Sequence, residues 1–319
     1  MSGTKEILRR KRGIENTQKI TKAMEMVAAT KMKRAVDAVL KTRRYSELGW
    51  MTVSNIAGTF DGKEIIHPFF SPMGEKPQKM DVILITTNRG LCGGFNFNVV
   101  NKMHQFIQQY KKEVDEGLSV ELNVMGKKGY IANRYYGYEI KREFPKEDII
   151  TEFEDVMPVA WAVMDGFLRG ESDMVYIAYT DYVSSARQFP RMKRLLPIIT
   201  LEKDEHLGET ESYFNVNGDS EADIVNGNGL KKAEYLFEPD PKAVLADILP
   251  RLIETQIFQA LLESNASEHS VRMSTMHQAN EAAGEMIEEL DLTYNKARQS
   301  GITNEISEIS AGVNALAQE

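Results

Sequence analysis

Apolar residues recur at helical spacing through the N-terminal flank. Ile7, Ile14, Ile20, Met24, Val27, Ala28, Ala35 and Val39 form one stripe. It predicts a helix from about Thr4 to Ala57, roughly 80 Å long at 1.5 Å per residue. The C-terminal flank is more regular. Leu245, Ile248, Leu252, Leu262, Ala266, His269, Met273, Met276, Ala283, Ile287, Leu290, Tyr294 and Ala297 keep a 3–4 alternation, the seam of a coiled coil. Near Gly301 the phase shifts, and Ile302, Ile306, Ile309, Val313 and Leu316 continue on a new face, as a stutter does. Asp240 as N-cap and Pro241 at the first helical position mark the start. From Lys242 to Gln318 the helix would run about 115 Å.

Between the flanks the pattern changes period. "DVILITT" (81–87) is an apolar, β-branched run and reads as a buried strand. "VELNVMG" (120–126), "DMVYIAYTDYV" (173–183) and "RMKRLLPIITL" (191–201) read as three more. Helical segments are expected at Asn96–Glu113, Lys127–Tyr136 and Val156–Leu168. Strands alternating with helices argue an α/β domain with a mainly parallel sheet, Rossmann-like in character. All ten prolines lie between Pro68 and Pro250. Proline breaks helix interiors, so both flanks are free to be long helices; Pro250 is expected to disturb the first turns of the last one. Helices this long need each other, so the two ends of the chain should form an antiparallel coiled coil. The expected division is 1–58 for the first coiled-coil helix, 59–239 for the α/β domain and 240–319 for the second helix.

Charge sharpens this picture. The chain of 319 residues has a net charge of −8, yet residues 1–44 alone carry +9. Residues 242–319 carry −7, which suits a basic helix lying against an acidic one. Residues 204–229 hold seven acids, four glycines and no Lys or Arg, the composition of a surface loop. No apolar run reaches the length of about 18 residues that a membrane-spanning helix needs. The basic start lacks an apolar signal core, which argues against a secretory signal. A single cysteine, Cys92, excludes an internal disulfide.

Candidate chemistry is sparse. "TTNRGLCGGFN" (86–96) follows a strand and opens a helix, where phosphate-binding loops sit. Its order of glycines fits neither a P-loop nor a dinucleotide fingerprint, and a tight turn with close helix–strand packing is the stronger reading. No histidine neighbours Cys92, so a structural thiol is expected. His269 and His277 lie eight residues apart on the last helix, too far to ligate one metal. No catalytic, cofactor or metal residues are assigned. The cations of the first helix are spread over more than 40 residues and interrupted by the apolar stripe, unlike the dense basic block that reads DNA.

Four segments carry a resemblance. "NTQKITKAMEMVAATKMKRA" (16–35), "TTNRGLCGGFN" (86–96), "YLFEPDP" (235–241) and "LTYNKARQSGIT" (292–303) resemble, in order, the signature segments of the gamma subunit of F-type ATP synthases. The resemblance extends over essentially the whole chain. It implies a non-catalytic rotor shaft, without a cofactor of its own, that couples proton-driven rotation of a membrane ring to ATP synthesis or hydrolysis. The implied partners are the alpha and beta subunits of a catalytic hexamer, the epsilon subunit and the c-subunit ring. Nucleic acid is not among them, and membrane association would run only through partners, on the cytoplasmic face of a bacterial inner membrane.

By motif position, Met24 falls where the family's coupling methionine lies. Arg298, Gln299 and Thr303 match contacts to the beta subunit, and Arg272 matches another shaft contact. Tyr235 and Glu238 match the foot that faces the ring and epsilon. Lys31, Lys33 and Arg34 are inferred, from their clustering, as the cations that pass an acidic part of beta. Two departures stand out. Ser300-Gly301 replaces the common Ala-Ser, and the cysteine pair of redox-regulated photosynthetic members is missing. Two other classes remain open on sequence: an α/β enzyme with a helical arm, and a nucleic-acid-binding coiled coil.

Overall fold

The structure, a computed structural model, describes residues 2–59, 67–70, 77–113, 117–147, 152–198 and 241–316. Asp240, the acidic 204–229 segment, Tyr235 and Glu238 lie outside the described residues. The chain forms two compact units, one of residues 1–30 with 271–319 and one of residues 31–270. Both long helices, α1 (Ser2–Thr59) and α5 (Pro241–Leu316), contribute to each.

In the larger unit the elements run β1 (Lys79–Ile85), α2 (Phe95–Glu113), β2 (Ser119–Met125), α3 (Tyr130–Tyr136), β3 (Glu139–Phe144), α4 (Met157–Leu168), β4 (Met174–Tyr182) and β5 (Gln188–Leu196). The strand order is β3-β2-β1-β4-β5. β1 pairs in parallel with β2 and β4, and β2 with β3. β5 returns antiparallel on β4. Side chains of β1 alternate between two cores, as the two-residue strand period requires. Val82 and Leu84 join Val99, Met103 and Ile107 of α2. Ile83 and Ile85 join Val163 and Phe167 of α4, Leu249 and Ile253 of α5 and Val53 of α1. Burial on both faces is why "DVILI" shows no alternation in sequence.

One strand was not expected. β3, "EIKREF", carries four charged residues and only Ile140 and Phe144 as apolar ones, and forms the sheet edge. Charge on an edge strand blocks pairing with other chains, and it also removes the hydrophobic signal by which strands are read. Gly126 lets β2 turn sharply: its φ is +99°, and a Cβ there would stand 2.4 Å from the Thr86 carbonyl oxygen. Gly137, in the left-handed conformation, ends α3 by donating its N–H to Asn133.

The seam of α5 departs from its expected course in this unit. Ile248 is exposed, while its neighbour Leu249 is fully buried. Here α5 packs into the sheet's α4-side core, so its apolar face follows Leu245, Leu249, Ile253 and Ile257. The helix continues unbroken through Pro250. From 252 to 270 almost every residue is buried.

In the smaller unit α1 and α5 run antiparallel. Lys11 Nζ meets Asp291 at 2.5 Å, Gln18 reaches the carbonyl of Asn280 at 3.5 Å, and Glu25 meets His277 at 3.1 Å. The buried seam residues are small or slender: Ala28, Met276 and Ala283. A Cβ on Gly284 would stand 3.3 Å from Gln18, so the helices approach closely. The expected electrostatic match contributes little here. Lys11–Asp291 is a partly exposed pair, and such pairs are worth about 0–1 kcal/mol. Close packing of small residues holds the pair.

Candidate coupling surface and anchor

Two sites emerge, one on each unit. The first is the free end of α5. The register that sets Lys11 against Asp291 brings α1 to its first turn opposite residue 298 or so. Beyond that point α5 continues as a single helix. Every residue from Arg298 to Ala311 is exposed. Among the described residues the expected second seam is therefore uncovered: Ile302, Ile306 and Ile309 are 50%, 61% and 63% exposed. They form an i, i+4, i+7 stripe, and Arg298 lies one turn before Ile302 on that face. Gln299 and Thr303 stand beside it, with the Thr303 hydroxyl donating to the Gln299 carbonyl at 3.0 Å. Gly301 is helical and exposed, and a Cβ there would meet nothing within 4 Å.

Met24 and Arg272 are half-buried. By the same register Met24 lies opposite Met276 and His277, and Arg272 is within about two turns. Arg298 is about 30 Å further along the helix at 1.5 Å per residue, so the sequence-assigned contacts form two groups. Exposed Ile20, Met26 and Val27 add apolar surface near Met24. Lys31 is half-buried, whereas Lys33 and Arg34, in the larger unit, are exposed.

The second site was not anticipated. Gln256, Gln259, Glu263, Ser267 and Ser270 make a polar stripe on α5 at 3–4 spacing, buried against α1, β4 and β5. Gln256 donates to the Ser46 carbonyl at 2.8 Å and accepts from Lys193. Thr42 donates to Gln259 at 2.6 Å, and Gln259 donates to Glu263 at 2.8 Å. Arg43 grips Glu263 through Nε and Nη2 at 3.2 and 3.0 Å and donates to the Tyr182 carbonyl at 2.9 Å. Asp181 lies 3.7 Å from Arg43 and 2.7 Å from Arg191. Ser267 donates to Thr180 and Ser270 to Ser185. On another face of α5, Glu268 pairs with Lys146 at 2.6 Å, both side chains almost wholly buried.

Burial sets the electrostatics of this cluster. It pushes Glu263 up to about 7, helped by nearby Asp181 and opposed by Arg43. It pulls Lys193 down to about 8, opposed by Glu263. It raises the Tyr179 phenol well above its ordinary value, with Glu263 adding to the effect. These residues were invisible in sequence because each pair joins positions far apart; Arg43 and Glu263 are separated by 220 residues. The polar periodicity of "QIFQALLESNASEHS" (256–270) was the available sign.

The glycine-rich loop after β1 serves the same framework. Thr87 donates its N–H to Asn96 at 2.9 Å, and Asn96 returns a bond to the Thr87 hydroxyl at 2.8 Å. Thr86 bonds Met125 and Gly126 at the end of β2, and Asn88 bonds the Lys146 carbonyl after β3. Cys92 is buried within 4.0 Å of Thr87 and Asn96, a packed structural thiol. The loop ties the carboxyl ends of three strands together, and Lys146 passes that tie to α5. In doubly wound folds ligands bind outside the carboxyl ends of the strands; here α5 crosses that edge through Ser267 and Glu268. Among the described residues no group of three or more His, Cys, Asp or Glu is placed to hold a metal ion. No described helix is long and apolar enough to cross a membrane.

Comparison with known proteins agrees along the full length. The family model described as ATP synthase matches residues 3–316. An ATP synthase gamma chain of Haemophilus influenzae is 36% identical over 316 residues, covering 99% of this chain and all of the relative. One from Dehalococcoides mccartyi is 38% identical over 317 residues with the same coverage. Among solved structures, a chain of the Euglena gracilis mitochondrial ATP synthase rotor superposes with a TM-score of 0.61 at 18% identity, covering 94% of this chain and 99% of that one. At that identity the likeness shows the fold.

Proposed function

The chain belongs to the ATP synthase gamma family, and we propose that it is the central shaft of a rotary ATP synthase, a subunit without an active site of its own. The observation that carries this reading is the free end of α5. Isolated helices are marginal in water, and helix stability in proteins comes mostly from packing an apolar face. A single helix with the exposed stripe Ile302, Ile306 and Ile309 requires a surrounding surface from other chains. A ring of alpha and beta subunits supplies such a sleeve.

In this reading Arg298, Gln299 and Thr303 meet the beta subunits near the tip, while Met24 and Arg272 meet them lower on the pair. The exposed cations Lys33 and Arg34, with Lys31, pass acidic surfaces of beta in turn. Tyr235 and Glu238 belong to the foot toward the c-ring and epsilon subunit. The pair is asymmetric: one side ends at α1 and the other continues as α5. Turning it presents different faces to partners that are otherwise equivalent. Each face favours one of their conformations, which is coupling through a mechanical element. The chain would then sit on the cytoplasmic face of a bacterial inner membrane, attached only through its partners. Mild co-purification tests this: the chain should elute with an ATP-hydrolysing hexamer, and elution as a free monomer in cells that express the partners would refute the assignment.

A further inference from the structure

We propose that the buried polar stripe of α5, together with Glu268, is a torsional key that fixes the rotational setting of the helix pair against the α/β sheet. The inference rests on the shaft reading above, because a key matters only where torque is carried. The physical ground is directionality. Hydrophobic burial is non-directional, so a helix in a wholly apolar groove resists rotation about its axis only through side-chain interlock. Buried hydrogen bonds and ion pairs have preferred geometry, and leaving one unmade in a low-dielectric interior is costly.

The arrangement fits such a role. The stripe Gln256, Gln259, Glu263, Ser267 and Ser270 engages three elements at once: α1 through Ser46, Thr42 and Arg43, β4 through Thr180, and β5 through Lys193. Arg43 ties α1, α5 and β4 in one grip. Glu268 follows Ser267 by one residue, about 100° around the helix, and holds Lys146 beyond the end of β3. Contacts on two faces oppose rotation in either sense. A rotation of α5 by one residue position would leave Glu263, Glu268 and Lys146 buried without their present partners. Ion pairs are a poor choice for stability alone, since apolar replacement of a buried pair is often neutral or stabilising. Their retention here is explained by the setting they enforce. Arg43, Lys146, Gln256, Glu263 and Glu268 are thus positioning residues that act through the helices they hold.

The test is a double replacement, Lys146→Met with Glu268→Leu, in the assembled complex of this chain with its alpha and beta subunits. Torsional stiffness is read from the angular fluctuations of a probe on the α/β domain while the hexamer is immobilised. The key predicts a stiffness lower by about twofold, as one of two directional contact sets is removed, with a melting temperature equal to or above that of the wild type. A variant as stiff as the wild type overturns the key and leaves the shaft reading intact. A wild-type complex that does not rotate on ATP overturns the shaft reading and the key with it. Should the double variant fail to assemble, Gln256→Leu with Lys193→Met, which removes the stripe's contacts to Ser46 and β5 and leaves the Arg43–Glu263 grip in place, should still lower the stiffness measurably, and a variant as stiff as the wild type overturns the key.

Discussion

Asp81 sits in the middle of the sheet, on the opposite margin from the key. Its carboxyl is 1% exposed, and Oδ2 has no hydrogen-bond partner among the described residues. Its Oδ1 is 3.8 Å from Lys141 Nζ, which is itself shared with Glu121 at 2.5 Å and Glu171 at 3.6 Å. Burial pushes its pKa from 3.8 up to about 6, with Lys141 opposing and Glu121 reinforcing. A carboxyl whose pKa is raised by folding favours the folded state when neutral. Its contribution is full below about pH 4 and is lost as pH rises through about 6. A rise from 3.8 to about 6 corresponds to about 3 kcal/mol. Asp81→Asn keeps the shape and removes the titration. Relative to the wild type, the variant should therefore gain about 3 kcal/mol between pH 4 and pH 8. Native-state amide exchange of β1 and β2 in the full chain, normalised for the intrinsic pH dependence, reads this locally. Parallel pH dependence in the two proteins would show that Asp81 does not titrate from a buried, raised position.

Further expectations follow from other sites. Glu263 is pushed from 4.5 up to about 7, so its favourable neutral form is lost as pH rises from about 4.5 to 7; Glu263→Gln should flatten the fall in melting temperature across that range, and an unchanged slope would count against the buried setting. Gly301→Ala adds a methyl group in open space on a helix and should stabilise the tip of α5 by about 1 kcal/mol, read as slower amide exchange there. Gly129→Ala puts a Cβ 1.9 Å from Val124; overpacking of this kind costs about 1–3 kcal/mol, and a wild-type melting curve would contradict the packing described. Met24→Lys should leave assembly and ATP hydrolysis intact while weakening coupling to proton transport, and normal coupling would remove Met24 from the proposed contacts.

Much of the fold was legible because its strongest signals are local. The proline-free flanks, the stripe from Ile7 to Val39 and the buried run "DVILI" each announce their element without help from distant residues. Helices α2, α3 and α4 fell within a few residues of their expected positions. β3 was hidden because an edge strand is recognised by its partner β2 and not by hydrophobicity. The seam near Ile248 was misplaced because α5 there answers to the sheet and not to a coiled-coil period. Ile302, Ile306 and Ile309 were legible as a stripe, but their exposure depends on where α1 begins in the register. The anchor was the least legible part. Arg43, Lys146, Glu263 and Glu268 look like solvated helix or loop charges until the sheet and α5 enclose them.

The proposed shaft is a mechanical element, and its rotation under ATP can be observed. The proposed complex of this chain with alpha and beta subunits is fixed by the hexamer, and a probe on the α/β domain is watched on adding ATP. Stepwise rotation in one direction that stops when ATP is removed is the expected result. A complex that hydrolyses ATP at the full rate while the probe shows only undirected fluctuation would contradict the shaft reading.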